Sequence, residues 1–154
     1  MDLVRRQYGL ISRAQALRAG FSSNAIDRRT TSGTWETIAR GVYRLPAAPR
    51  SWHQRALALC LACDGVASHT TAGWLWNLSG VSREHPEPID ILIPHGHELS
   101  AEGTTVRTTR SWEDKIPFRA MIPVTLLSRT LVDLASVLSE ERLEMAVDSA
   151  FLRV

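Results

Sequence analysis

Apolar and polar positions change their spacing along the N-terminal third of the chain, which predicts short helices followed by a hairpin. Residues 22–32 are mostly polar with one apolar face at helical spacing, so we expect an amphipathic helix there. Its inward positions are Ile26 and Thr30. A hydroxyl of Ser22 or Ser23 can cap its first turn. The apolar residues that follow flank a bend at Gly41 and predict a hairpin: Trp35, Ile38, Val42 and Tyr43.

Two further helices are predicted before this one. Residues 1–8 form the first, and Ser12 with Gln15 has the spacing of a capping box at the start of the second. The inward positions of these two helices are Leu3, Val4 and Leu17. Gly20 supplies the permissive backbone that a turn between helices needs, and Gly33 ends the third helix with a positive φ. The pattern is typical of a helix-turn-helix followed by a wing.

Residues 46–50 separate this unit from the rest, because they contain two prolines within four residues and show no apolar period. We therefore predict a winged helix-turn-helix domain at 1–48 and a small α+β domain at 51–154. In the second domain, helical spacing predicts helices over 52–63, over 68–78 and from 128 onward. β-Branched runs and alternation predict strands over 66–67, 88–94, 104–110 and 118–124. The expected fold class of the chain is α+β.

Charge is distributed unevenly between the two predicted domains. Residues 1–50 carry nine arginines and three carboxylates, a formal charge of +6, whereas residues 51–154 carry a charge of −4. A basic module joined to a mildly acidic one indicates that the first module meets a polyanion. We expect the first domain to bind nucleic acid and the second to contribute almost nothing to that binding.

The composition favours a soluble globular protein, since 44% of its 154 residues are hydrophobic, enough to build a core. The longest apolar run, 56–63, is far shorter than the ~20 residues that a bilayer span needs, and the N-terminus does not read as a signal peptide. The two cysteines, Cys60 and Cys63, suit a reducing compartment. We expect a cytoplasmic protein with no cofactor and no membrane partner.

Several strings in the N-terminal third carry a family resemblance. Residues 9–22 read Gly-Leu-Ile-Ser-Arg-Ala-Gln-Ala-Leu-Arg-Ala-Gly-Phe-Ser, followed by Ala-Ile-Asp-Arg-Arg, Ser-Gly-Thr-Trp and Arg-Gly-Val-Tyr-Arg. Together they resemble the N-terminal domain of AbiEi-family antitoxins, the antitoxins of type IV toxin–antitoxin systems. A weaker likeness continues through 67–78, 122–125 and 128–135. Many such proteins continue into a further domain, often with a Vsr-like nuclease fold, and no function of such a domain is expected here.

The resemblance implies a sequence-specific regulator that represses its own operon at inverted repeats in double-stranded DNA. It also implies that the protein opposes a nucleotidyltransferase toxin, with or without binding it. A winged helix docks its third helix in the major groove, and the outer face of that helix offers Ser23, Asn24, Asp27, Arg28 and Thr31. The residues expected at base edges are Asn24, Asp27 and Arg28. Those expected at phosphates are Arg13, Arg29, Arg40 and Arg44.

Two other classes of function stay open. A protein-interaction adaptor with a degenerate winged helix would use a tryptophan surface: Trp52, Trp74, Trp76 and Trp112. A nuclease-related fragment would need carboxylates and a lysine around magnesium, for which the candidates are Asp90, Glu113, Asp114 and Lys115. We expect no enzyme, because Asp90 alternates in its strand as a solvent-facing residue would and residues 113–115 read as a turn.

The remaining motifs have simpler interpretations than chemistry. Cys60 and Cys63 match Cys-x-x-Cys, and His53 and His69 lie within range for a zinc site. The cysteines nevertheless lie on an apolar helix, where free cysteine behaves as a small hydrophobe. Ser68 precedes His69 at a predicted helix start, and we expect it to cap that helix rather than to act as a nucleophile.

Overall fold

The structure is a computed structural model, and it describes residues 2–152. The helices are α1 (Asp2–Arg6), α2 (Arg13–Arg18), α3 (Ser23–Thr31), α4 (Trp52–Cys63), α5 (His69–Leu75), α6 (Leu127–Leu134) and α7 (Glu140–Phe151). The strands are β1 (Leu10–Ser12), β2 (Glu36–Ala39), β3 (Val42–Arg44), β4 (Val66–Ala67), β5 (Ile89–Pro94), β6 (Thr104–Thr109), β7 (Phe118–Arg119) and β8 (Ile122–Pro123). This content confirms the α+β class. No helix within residues 2–152 has the length and hydropathy to cross a membrane.

The N-terminal part of the first unit, residues 2–44, has the topology of a winged helix. Its elements follow in the order α1, β1, α2, α3, β2 and β3, and the strands form an antiparallel sheet of order β1-β3-β2. The wing is the β2–β3 hairpin, which bends at Gly41 with φ of +68°. The sequence pattern does not predict strand β1, because three residues are too few to show alternation and their pairing partner β3 lies some thirty residues along the chain.

Local capping groups set the helix starts as predicted. The Ser12 hydroxyl accepts from the Gln15 amide at 3.2 Å while Gln15 Oε1 accepts from the Ser12 amide at 2.9 Å, a complete capping box for α2. The Ser22 hydroxyl accepts from the Ala25 amide at 3.1 Å and caps α3. Gly20 and Gly33 follow α2 and α3 with positive φ, so both predicted helix ends are confirmed.

An aromatic cluster forms the centre of the first unit's core. Phe21 meets Trp35 edge-on at 5.3 Å between ring centroids, and Trp35 stacks on Tyr43 at 5.7 Å. Its buried members are Val4, Ile11, Ala16, Ile26, Trp35 and Tyr43. The inward positions predicted for Leu3 and Leu17 are wrong, since each is 45% exposed. Helices of five and six residues offer the core too little surface, and each buries a single side chain.

The described chain forms two compact units that divide between Ala62 and Cys63, later than the predicted boundary at 48–51. The proline-containing segment is fixed rather than free, because the Ala48 amide donates to the Leu45 carbonyl at 2.9 Å and the Ala48 carbonyl accepts from the Arg44 guanidinium. A Cβ on Gly9 would lie 2.2 Å from the Ala48 Cβ, so this close approach requires glycine. Gln54, in α4, is buried and donates from Nε2 to Tyr8 O at 2.6 Å. This hydrogen bond ties the start of α4 to the segment between α1 and β1, within the first unit.

The second unit contains a mixed sheet of order β4-β5-β6, in which β4 runs antiparallel and β6 parallel to β5. The predicted strand over 118–124 is wrong: two short strands, β7 and β8, form a hairpin there. Its turn residues Ala120 and Met121 both have positive φ, a conformation that sequence alternation does not reveal. Helices α6 and α7 bury a separate apolar cluster with the end of α5: Leu78, Leu134, Ala146 and Ala150.

Asp90 lies in the buried centre of this unit and does not face solvent as predicted. Its carboxylate accepts from Arg107 Nη1 at 2.6 Å and from the Thr70 hydroxyl, and its amide donates to the Thr71 hydroxyl at 2.8 Å. Parallel pairing places Arg107 opposite Leu92, on the face of the sheet that Asp90 occupies. The alternation of Asp90 with apolar residues was misread because a central strand has both faces covered.

A second buried polar group surrounds His69. Its Nδ1 lies 3.0 Å from the Ser68 hydroxyl and 4.0 Å from Asp133 Oδ2, while Asp133 Oδ1 accepts from Arg129 Nε at 2.8 Å. Ser68 occupies the cap position of α5 but makes no side-chain cap bond, so the predicted capping is wrong. Burial lowers the pKa of His69, and the nearby Arg107 charge acts in the same direction.

The core of the first unit can be tested at Ile26, which is fully buried. We expect Ile26→Ala to lower the free energy of unfolding by about 2–5 kcal/mol, because truncation leaves a cavity under α3. Leu17→Ala removes a side chain of the same size from an exposed site and should change stability by about 0.5 kcal/mol or less. Urea denaturation followed by tryptophan fluorescence measures both. Equal losses in the two variants would contradict the assignment of the core.

The buried His69 predicts a loss of stability on mild acidification. Its folded pKa lies below the ordinary value of 6.5, so below that pH the unfolded chain binds a proton that the folded chain does not. Stability should therefore fall as the pH drops from 6.5 toward the folded pKa. His69→Gln should flatten this dependence, whereas His95→Gln, at an exposed loop position, should leave it unchanged. Thermal unfolding at several pH values gives the slopes, and an unchanged slope in His69→Gln would contradict the prediction.

Candidate nucleic-acid interface

Helix α3 presents one continuous polar surface to solvent, which we call the outer face of α3. At about 100° per residue, its members fall within an arc of about 140° around the helix axis. They are Ser23, Asn24, Asp27, Arg28 and Thr31, and all five are exposed. Ile26 lies outside this arc and is fully buried. Burial of one side of the helix thus leaves these five predicted residues together on the other.

Two of the arginines predicted to contact DNA are exposed and have no side-chain partner within residues 2–152. Arg28 lies at one end of the outer face of α3, and Arg40 lies at the bend of the wing next to Gly41. Neither side chain makes a hydrogen bond or an ion pair with any other residue within 2–152. A guanidinium in this state keeps all five N–H donors for an external acceptor, such as a phosphate or the edge of guanine.

Arg13 and Asp27 contact each other. Arg13 Nη1 donates to Asp27 Oδ1 at 2.9 Å and to the Tyr43 hydroxyl at 3.3 Å, which joins the first residue of α2 to α3 and the wing strand β3. These hydrogen bonds, that to Tyr43 above all, raise the pKa of Arg13. The Asp27 carboxylate offsets part of the positive charge that Arg13 would offer to DNA. Tyr43 was not among the predicted site residues, because its apolar spacing placed it in the core.

Arg29 faces the core side of α3 instead of a phosphate. Its guanidinium lies 4.7 Å from the centroid of the Phe21 ring and 5.6 Å from that of Trp35, and Nη1 donates to the Ala25 carbonyl at 3.1 Å. Its helical position is almost opposite the centre of the outer face. A cation over an aromatic face is stabilised electrostatically. Arg29 therefore fastens α3 to the aromatic cluster.

Arg44 is buried, which removes it from the surface open to a phosphate. Its Nε donates to Glu36 Oε2 at 3.0 Å, its Nη2 donates to the same oxygen at 2.5 Å, and its Nη1 donates to the Ala48 carbonyl. Glu36 also accepts from Arg50 at 2.7 Å, and the hydrogen bond from Arg44 lowers the pKa of this carboxyl. The pair closes the base of the wing, because Glu36 and Arg44 are directly opposite on β2 and β3.

Two further arginines of the first unit were not predicted as contacts although the structure exposes them. Arg5 in α1 and Arg18 at the end of α2 are exposed and make no ion pair with another described residue. Arg6, by contrast, pairs with Asp2 at 3.0 Å. In the sequence, Arg5 and Arg18 differ from other arginines only in lying at polar positions of predicted helices. Most surface arginines lie at such positions, so this pattern does not indicate a DNA contact.

The residues proposed for the rival functions are distributed through the fold in other roles. Trp76 Nε1 donates to the Thr125 carbonyl at 2.9 Å, and the Arg119 guanidinium lies 4.0 Å from its ring centroid. Trp52 and Trp74 are half-buried, and Trp112 is exposed. For the nuclease reading, Glu113 accepts from the Leu126 amide at 3.2 Å while Asp90 is paired with Arg107. Within residues 2–152 no three His, Cys, Asp or Glu side chains are placed to hold a metal ion.

Cys60 and Cys63 are both buried and form no disulfide. Burial raises the pKa of the Cys63 thiol to about 11, so it stays protonated at neutral pH. Burial thus disfavours the thiolate, which is the form of cysteine that acts as a nucleophile. This environment agrees with the interpretation of the cysteines as small apolar residues of α4.

The N-terminal part of the chain is similar to a known family. Residues 1–46 match the family model described as transcriptional regulator, AbiEi antitoxin. The match spans α1 through β3, the elements that build the winged helix and its outer face. It confirms the resemblance predicted from the N-terminal strings. No curated protein matches the chain. For the residues beyond 46, the weaker likeness stays a prediction.

Proposed function

We propose, from the premise that the N-terminal unit is that of an AbiEi-type antitoxin and transcriptional regulator, that this chain represses its own operon. It would bind double-stranded operator DNA, with α3 in the major groove and the wing against the backbone. The observation that supports this most is the outer face of α3, where the Arg28 guanidinium has no partner within residues 2–152 and lies beside four other exposed polar residues.

Arg28 and Asn24 are the residues we assign to base edges. A guanidinium can donate two hydrogen bonds to O6 and N7 of guanine, and a side-chain amide can pair with N6 and N7 of adenine. Asp27 lies beside them on the outer face of α3 and is held by Arg13, so it would exclude phosphates from this part of the face through charge repulsion. We therefore assign sequence readout to the first two turns of α3.

Arg40 is the residue we assign to a phosphate, because it is exposed at the tip of the wing and carries no internal ion pair. Arg5 and Arg18 are further candidates for backbone contacts. Arg13, Arg29 and Arg44 hold the unit together instead. The net charge of the first fifty residues thus overstates the number of free cations, and we expect a modest dependence of binding on salt.

We further propose that the second unit opposes a nucleotidyltransferase toxin in the cytoplasm and does so without catalysis. The Ser68 hydroxyl and Asp133 both approach Nδ1 of His69, whereas a catalytic triad needs its base to use both ring nitrogens. Asp90 is neutralised by Arg107. These arrangements support a structural role for the buried polar residues.

The assignment of α3 to base readout predicts that Arg28 and Arg40 differ. Arg28→Ala should weaken binding to the duplex upstream of the chain's own gene by ~1–3 kcal/mol and weaken binding to a scrambled duplex much less. Arg28→Lys keeps the charge but loses the planar fork, so it should lose specificity and keep the salt dependence. Arg40→Ala should weaken both complexes and reduce the slope of log K against log salt by about one.

Mobility-shift titrations of all three variants on both duplexes, at several salt concentrations, test this assignment. Circular dichroism and thermal unfolding serve as the control for folding, since both arginines are exposed. Equal losses on the two duplexes for Arg28→Ala would show that α3 does not read bases. A non-specific nucleic-acid binder would then be the better account.

Repression and toxin neutralisation should separate in the Arg28→Ala variant, because we assign them to different units. Expressed from an independent promoter together with the toxin, this variant should restore growth as well as the original chain does. A reporter fused to the operon promoter should at the same time lose repression. Loss of both activities in a folded Arg28→Ala protein would contradict the division of roles.

A further inference from the structure

Strand β6 forms an edge of the second unit's sheet that none of the proposed functions uses. The Gly103 carbonyl accepts from the Ile89 amide at 2.9 Å and the Thr109 carbonyl accepts from the His95 amide at 2.8 Å. Odd-numbered positions of β6 therefore direct their backbone groups toward β5. In a strand, the N–H and C=O of one residue point to the same side and those of the next residue to the opposite side, so the groups of the even-numbered positions point away from β5. They are Thr104, Val106 and Thr108.

This edge lacks the protections that sheets usually carry against pairing with another strand. The register with β5 runs without a bulge from Thr104 to Thr109, and the strand contains neither proline nor lysine. Its single charge, Arg107, is bound to Asp90. Within residues 2–152 the outward N–H and C=O groups of β6 have no hydrogen-bond partner. The strand thus presents the unpaired N–H and C=O groups of three residues at the edge of the sheet.

Two other sheet edges, those of β4 and β2, differ from β6. Strand β4 has two residues, and the Thr125 amide donates to the Ala67 carbonyl at 3.0 Å on its outer side. In the first unit, the register of β2 is interrupted between Thr37 and Ala39, which bends that edge. The contrast indicates that β6 is suited to accept a partner strand.

We propose that β6 pairs with β6 of a second copy of this chain, antiparallel, about a two-fold axis through Val106. In such a pair, the residues whose N–H and C=O groups point outward on one copy must lie opposite the same kind of residue on the other copy. The two-fold axis can therefore pass through Thr105, Val106 or Arg107. A centre at Arg107 would oppose two guanidinium groups, and a centre at Thr105 would leave Thr108 unpaired. Only the centre at Val106 pairs every outward position within the strand.

The side chains of β6 suit this register. Thr104 faces Thr108 of the second copy, Val106 faces its own equivalent, and Thr105 faces Arg107. Cross-strand pairs of threonine and of β-branched residues stabilise antiparallel strands, and no like charges meet. A self-complementary strand favours a second copy over an unrelated peptide. The proposal depends on the second unit alone and does not require DNA binding.

Charge reversal across the interface tests the proposal on the full-length chain. Thr104→Lys combined with Thr108→Lys sets ammonium groups opposite each other at both ends of the pairing. Thr104→Lys combined with Thr108→Glu sets an ammonium group opposite a carboxylate instead. Sedimentation equilibrium over a concentration series should show a dimer for the original chain. The dissociation constant should rise about tenfold or more in the first double variant and return toward the original value in the second.

Amide hydrogen exchange followed by NMR provides a second readout on the unmodified chain. The amides of Thr104, Val106 and Thr108 should exchange quickly in dilute solution and slowly at high concentration. Those of Thr105 and Arg107, which pair with β5, should stay protected at both and serve as the internal control. A monomer at all concentrations, or a dimer that neither double variant alters and that leaves the even-numbered amides unprotected, would overturn the proposal.

Discussion

The first unit depends on the burial of one side of α3. Ile26 is fully buried and Arg29 lies over the Phe21 and Trp35 rings, so two side chains on neighbouring positions of the helix surface are fixed to the aromatic cluster. Rotation of α3 would expose the first and break the cation–π contact of the second. The helix therefore has one orientation, and its outer face holds the same five polar residues. Burial of Ile26 and packing of Arg29 on one side of α3 therefore determine which residues the opposite side offers to a ligand.

The arginines of the first unit have different structural roles, although their side chains are chemically identical. Arg44 closes the base of the wing through Glu36, Arg13 joins α2 to α3 through Asp27, and Arg29 packs on aromatic rings. Each of these cations is offset by a carboxylate or directed to a ring. The charge that remains for a polyanion is carried by side chains without such partners, among them Arg28 and Arg40. Net charge predicted a polyanionic ligand, and the pairing of charges distinguishes the arginines held inside the unit from those without an internal partner.

In the second unit, the parallel pairing of β5 with β6 has a comparable effect. It brings Arg107 to Asp90 and allows a carboxylate to lie in the buried centre of the sheet, where an unpaired charge would be costly. The same pairing uses the odd-numbered peptide groups of β6 and leaves the even-numbered ones at the edge. Internal neutralisation of Arg107 also removes the one charge that would otherwise repel a partner strand.

The sequence by itself determined the features that depend on neighbouring residues. The capping box of α2, the Ser22 cap, the glycine turns, the helical phase of α3 and the winged-helix class all followed from spacing, because capping and amphipathicity act over three or four residues. Tertiary structure alone decided which arginines are free, why Asp90 is buried, how strand β1 forms and where the compact units divide. Each of these depends on a partner distant in the chain, such as Glu36 for Arg44 or Tyr8 for Gln54. The spacing of residues within one segment does not indicate a partner in a distant segment, because the two residues come into contact only when the chain folds.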